Sequence, residues 1–325
     1  MKSQFPPLLP VSSLGQYLCK SRLIHTQPRT PNAAGPSMVT QHSLIAWFTK
    51  RLGFSLLLSL TLASGLWLTA YMQPARASFL DLIFQGIQVI QLSNLSDQQE
   101  VALGEQINQQ LLTEEFYLRN DPVISNYINQ VGQQLVPFSG RPQIPYHFQV
   151  VQDPQINAFS TMGGYVYVTT GLLAVADNEA QVASVLGHEI GHISARHAVK
   201  QMREQAIIAG VANAASLDRD LAVNIGVELA LRRPNSRRDE FEADSLGISM
   251  LDRAGYASSA MPTFLEKLTR YSSSPTFLST HPAITDRINR LNNLIQVNHF
   301  VGSRGLDNVV YQSTIRSRLL PLPTR

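Results

Sequence analysis

The segment His188-Glu189-Ile190-Gly191-His192 constrains this chain more than any other, because it asks one helix to be packed and polar at once. Val182, Val185, Leu186 and Ile190 recur around it at helical spacing. The stretch therefore belongs to a packed helix opening at Asn178-Glu179 and running to about Gln201. Histidines at i and i+4 lie about 40° apart around the axis, so both imidazoles can reach one ion. Glu189 is offset by about 100° and need not ligate, but it can reach a water held by such an ion. The alternative is a helix whose polar residues form a solvated face. Against it, Val185-Leu186-Gly187 and Ile190-Gly191 make this the apolar side, where two histidines and a glutamate without a metal would need several partners.

A tetrahedral catalytic zinc site needs a third protein ligand and an open fourth position. Glu240-Phe241-Glu242-Ala243-Asp244 offers candidates. Glu240 and Asp244 share a helical face, and Glu242 points away at i+2. Glu240 is the expected third ligand to one zinc ion per chain. Asp244, one turn on, can accept a hydrogen bond from the other ring nitrogen of a ligand histidine, His188 by position, fixing its tautomer. Taken alone, Glu240 and Asp244 could equally be solvated charges beside Arg237 and Arg238; the histidine pair tips the balance. Glu242 reads as an ordinary surface charge.

The charge distribution separates a leader from a working domain. Residues 1–77 hold seven basic side chains and no Asp or Glu. Removing these seven from the 26 Lys and Arg of the 325-residue chain leaves 19 against 23 acidic groups, a net charge of −4 over residues 78–325. Overall charge therefore gives no reason to expect a nucleic-acid partner. Lys50-Arg51, the apolar run Leu52–Met72 and the Ala-x-Ala pattern ending at Ala77 have the order of a secretory signal peptide. The run is also long enough for a retained anchor. Met38 could be the true start, and residues 1–50 could instead be an organellar transit segment. Export, to the periplasm or to a membrane facing it, is the expected destination. Cleavage would remove Cys19, the one cysteine, and with it any disulfide, thiol nucleophile or thiolate metal site.

Residues 78–325 suit a single domain. Ser96 with Gln99 forms a capping box, and Asp121-Pro122 starts a second helix. Tyr146, Phe148 and Val150 alternate as a strand, and Tyr165-Val-Tyr-Val-Thr169 forms another after Gly163-Gly164. Helical patterns follow over 204–231, from Ser236 to Ala254 with Gly255 as the stop, and near 260–271 and 283–297. The expected fold class is α+β, mostly helical, with a small sheet beside the active helix. The tract 204–231 carries too many charges for a membrane span and could serve as a lid.

The order His-Glu-x-x-His, then Glu-x-x-x-Asp within 236–244, resembles the zinc metalloendopeptidases of the HtpX, Oma and CAAX-prenyl-protease type, and among them the small exported bacterial members. Asn157-Ala-Phe159, Gly163-Gly164, Thr170-Gly171-Leu-Leu173, Arg196-His197 and Thr280-His281-Pro282 extend the likeness over about 97–300. Met162 departs from it, standing where the family often has proline. The resemblance implies a gluzincin site that hydrolyses peptide bonds of unfolded or misassembled proteins, with Glu189 as the proton carrier. A chaperone-like binding module that retains zinc with little turnover is the competing function. The leader, if retained, would place either one at a membrane.

A peptide substrate would lie along an edge strand. The candidates are Tyr165, Val166 and Tyr167, with Asn157, Ala158 and Phe159 nearby; an ordinary buried strand is the alternative. His281, before a proline, either approaches the metal as a fourth ligand or transition-state donor, or simply serves its turn. His197 falls about 140° from His192 on an unbroken helix, which leaves it to pack or to make an outer contact. His147 and His299 read as surface residues.

Overall fold

Side-chain caps set the helix starts. A computed structural model of the chain describes residues 89–90, 92–208, 217–232, 234–271 and 275–319. The chain divides into two units, Met1–Ala75 and Arg76–Arg325, and the described residues fall in the second. Residues 1–77, expected to form a leader, with Cys19, Met38 and the apolar run 52–72, lie outside them. In the Ser96–Gln99 capping box, Gln99 N–H donates to Ser96 Oγ at 3.3 Å and Ser96 N–H to Gln99 Oε1 at 2.9 Å, opening α1 (Asp97–Glu114). Asp121 caps α2 (Pro122–Leu135), with proline in its first turn. Asn178 accepts from Gln181 N–H to start α4 (Glu179–Ser194), after the short α3 (Thr170–Val175). Ser236 caps α7 (Arg237–Arg253), which ends before Gly255 at φ 79°. Among the described residues, no helix is long and apolar enough to cross a membrane.

The long helix expected to reach Gln201 breaks instead. Arg196 takes φ 56° and the chain restarts as α5 (His197–Ile208). Neither glycine nor proline marks this break, so periodicity ran straight through it. A buried ionic knot holds it. Arg141 donates to both oxygens of Glu100 at 3.0 and 2.9 Å and to the Ile193 carbonyl at 3.0 Å. Arg196 Nε lies 2.9 Å from Glu100, and its Nη2 donates to Leu95 O at 2.6 Å. Within the tract 204–231, α6 (Arg219–Arg232) follows α5, with 209–216 outside the described residues.

One sheet has the order β2 (His147–Val151), β4 (Tyr165–Thr169), β3 (Ala158–Ser160); β2 runs parallel to β4 and β3 antiparallel. A short antiparallel pair joins β1 (Val89–Ile90) to β5 (Leu217–Asp218). Alternation along β4 sends Val166 and Val168 into the larger apolar cluster, with α2, α4, α7 and the later helices α8 (Ala260–Leu268) and α10 (Ile284–Asn298). Tyr165 and Tyr167 face the smaller cluster, with α1, α5 and α6. Both faces of β4 are therefore buried. The turn before it uses Gly163 at φ 77° and Gly164 at φ 99°, values that suit glycine in the Met162–Gly164 loop.

The larger cluster seats the polar residues. α4 and α7 cross almost backbone to backbone: a Cβ on Gly191 would lie 2.6 Å from the Ala243 carbonyl oxygen. That closeness brings the carboxylates of α7 within reach of the histidines of α4. Among the described residues this is a mostly helical α+β domain with a small mixed sheet, the expected class.

Candidate metal centre

Three elements converge on one buried point. α4 supplies His188 and His192, α7 supplies Glu240, and the turn after α9 (Thr276–Thr280) supplies His281. His188 Nε2 lies 3.0 Å from His192 Nε2 and 3.2 Å from His281 Nδ1. The Glu240 oxygens lie 3.4 Å from His188 Nε2, 3.3 Å from His192 Nε2 and 3.1 Å from His281 Nδ1. Each of the four residues can offer one donor atom to a common ion.

The residues fit zinc. Two imidazole nitrogens 3.0 Å apart, on rings inclined by 86°, have at most one proton to share between them, and a cation satisfies both lone pairs. Imidazole nitrogens with one carboxylate are the donor set zinc prefers. The buried Glu189 Oε1 has no hydrogen-bond partner, as expected of an oxygen that faces a reacting water.

Outside the donors, His188 Nδ1 lies 2.9 Å from Asp244 Oδ1. Arg287, from α10, donates to both Asp244 oxygens at 2.7 Å and pairs with Glu240 Oε2 at 2.7 Å. It is buried, so its charge offsets that of the two carboxylates. Burial opposes charge on every group here; it prevails at His192, and neighbours outweigh it at His188 and Asp244. Burial pushes His192 down to about 4, which keeps a lone pair free for a metal. For His188, burial and the Arg287 charge are outweighed by Glu240 and Asp244, which hold it up to about 9. Burial likewise fails to raise Asp244, which Arg287 holds down to about 2.

Glu189 lies on the cleft side of α4. Its Oε2 accepts from Ser160 Oγ at 2.8 Å, and its Oε1 is 3.5 Å from His281 Nε2. The sequence therefore pointed to six residues that the fold brings together: His188, Glu189, His192, Glu240, Asp244 and His281. It missed Ser160 and Arg287. An exposed-looking serine and one charge in an amphipathic helix carry no signal of their own. His147 and His299 are exposed.

The substrate-strand expectation needs correction. Tyr165, Val166 and Tyr167 belong to the central strand, with both edges paired and every side chain buried. No peptide can add there. The continuous apolar run signalled a strand covered on both faces, the alternative reading. Asn157, Ala158 and Phe159 lead along β3 instead, and that strand ends the sheet beside the site. Ala158 O lies 3.4 Å from His281 Nε2. The cleft continues past Phe159 and Met162 under Gly226, Leu229 and Ala230 of α6.

The sequence profile of Peptidase family M48 matches residues 122–295, which contain every residue of this centre. The chain is 36% identical over 223 residues to the Beta-barrel assembly-enhancing protease of Escherichia coli (strain K12), covering 62% of this chain and 46% of that protein. It is 28% identical over 172 residues to the Mitochondrial metalloendopeptidase OMA1 of Schizosaccharomyces pombe (strain 972 / ATCC 24843), covering 51% of each. To the Arabidopsis thaliana protein of that name it is 39% identical over 145 residues, 43% of this chain and 30% of the relative. The chain thus spans about half the length, or less, of these curated relatives. With a buried histidine and carboxylate donor set inside the matched region, the chain belongs to Peptidase family M48, the zinc metallopeptidases.

Proposed function

We propose that this chain is an exported endopeptidase that cleaves unfolded or misassembled proteins, with residues 1–77 as leader and 78–325 as the working domain. The relatives' names support a protein substrate: one is an assembly-enhancing protease, the other a metalloendopeptidase. The observation that carries the reading is Glu189. It is 1% exposed, anchored through one oxygen by Ser160, and keeps the other unpartnered beside the histidines.

His188, His192 and Glu240 would hold the zinc, which when bound polarises the scissile carbonyl and acidifies a water. Glu189 Oε1 takes the proton from the attacking water and delivers it to the leaving amine. Asp244 accepts from His188 Nδ1 and Arg287 steadies both carboxylates, so the ligands do not reorganise during the reaction. The peptide lies extended against β3, with Asn157, Ala158 and Phe159 as its edge. His281 Nδ1, close to Glu240 and His188, would be a fourth donor to the ion in the substrate-free site and would give way to substrate. The His281→Ala variant should show altered basal turnover or altered metal geometry; a change in neither would end that role.

The deciding experiment is casein cleavage by the full chain beside Glu189→Gln. Glu189→Gln should bind zinc normally yet lose about 10²–10⁴ in turnover, the usual contribution of a general base. Equal behaviour of the two proteins would favour the binding-module function instead.

A further inference from the structure

His197 has no role in the chemistry described above, yet the fold takes trouble to place it. An unbroken helix would carry it about 140° away from His192. The break at Arg196 turns it back instead. Arg196 is a non-glycine residue in the left-handed region, a conformation that costs energy, and the Glu100 and Leu95 contacts hold it there. The result is that His197 Nδ1 lies 2.8 Å from His192 Nδ1, with His197 2% exposed. Its other nitrogen, Nε2, is 3.4 Å from Glu242 Oε2 and 3.6 Å from Asp239 Oδ1. Asp239 is itself held by Lys200 at 2.5 Å, and its N–H donates to the capping Ser236.

Proton counting fixes the direction of this chain. His192 turns Nε2 towards His188 and Glu240, so that atom must be bare to ligate. A neutral His192 then carries its hydrogen on Nδ1. Two nitrogens 2.8 Å apart share a single hydrogen, so His197 Nδ1 must accept. The hydrogen of His197 consequently sits on Nε2, pointing at Glu242 and Asp239. His197, Asp239 and Glu242 could also surround an ion. An ion on His197 Nε2, however, would put hydrogen on its Nδ1 and reverse the bond. His192 would then carry hydrogen on Nε2, where it cannot ligate. The second group is thus an alternative to the first centre and not an independent site.

We propose that His197 is a positioning residue, accepting the Nδ1 hydrogen of His192 and so fixing the tautomer that presents His192 Nε2 to the metal, with Glu242 accepting the far hydrogen and the Asp239 charge beside it. It does for His192 what Asp244 does for His188. This rests on the zinc reading of the centre.

The test uses the full chain stripped of metal and reloaded. Zinc affinity is measured by competition with a chromophoric chelator for wild type, His197→Phe and His197→Asn, with circular dichroism as the control for folding. Loss of an outer partner of this kind weakens metal binding about 10–100-fold, which is the expectation for His197→Phe. Asparagine carries its amide oxygen where histidine carries Nδ1 and offers it to the same hydrogen, so His197→Asn should fall nearer wild type. Nitrogen-15 imidazole spectra of the zinc-loaded wild type, which need no variant to fold, should show hydrogen on His192 Nδ1 and on His197 Nε2. A Phe variant that binds zinc as tightly as wild type, an Asn variant that binds it no better than Phe, or a hydrogen on His197 Nδ1, would overturn the proposal while leaving the zinc centre standing. A wild-type chain that takes up no zinc overturns both.

Discussion

Ser160 shows how much of the site rests on one short contact. It sits at the end of β3 and donates to the Glu189 oxygen that does not face the ligands. A hydrogen bond to a charged group contributes about 1.5–3 kcal/mol, and about 1.4 kcal/mol is tenfold in rate. Ser160→Ala should therefore lower kcat at least about tenfold while zinc content and fold are retained. Steady-state kinetics beside metal analysis check this; an unchanged kcat would remove Ser160 from the mechanism. At this scale the sequence was legible where a pattern repeated a helical turn: His188 with His192, and Glu240 with Asp244. Ser160, Arg287 and the true place of His197 were not. Each depends on two distant elements meeting, and no local spacing encodes that.

Among elements, the crossing of α4 and α7 decides whether the ligands meet at all. Gly191 sits at the closest point, where an added Cβ would meet the Ala243 carbonyl at 2.6 Å; at Gly187 the nearest backbone atom would be 3.3 Å away. A backbone oxygen cannot rotate aside as a side chain can. Gly191→Ala should then force the helices apart, costing about 1–3 kcal/mol as overpacking does. It should also loosen zinc, because Glu240 rides on the displaced helix. Gly187→Ala should do both more weakly. Thermal denaturation and zinc affinity of the two variants give the comparison, and an inverted order would show that the crossing does not set the ligand geometry. Helix starts were readable from Ser96, Asp121, Asn178 and Ser236, since each cap is a local hydrogen bond. The break at Arg196 and the central place of β4 were hidden. One is imposed by Glu100, nearly a hundred positions earlier, and the other by which strands pair with it.

For the molecule, the centre joins segments that the backbone leaves far apart. α4, α7 and the His281 turn all pack on the larger apolar cluster, and Arg287 of α10 closes the ring of charge. α6 belongs to the smaller cluster, where much of its surface is exposed. A ligand that binds only the folded state stabilises it by about 4.1 kcal/mol at a thousandfold excess over Kd. That gain should reach the elements that supply donors and pass by those that do not. Zinc removal by chelator should lower the unfolding temperature and speed amide exchange in α4, α7 and α10, where opening must break the centre. Exchange in α6 should change little, because it packs chiefly on α1, α5 and the β1–β5 pair, none of which supplies a donor. Hydrogen-exchange mass spectrometry with and without zinc reads both regions in one experiment. Uniform slowing by zinc across α6 and α4 alike would mean that the two clusters open together, and that the roof of the cleft cannot move while the metal stays in place.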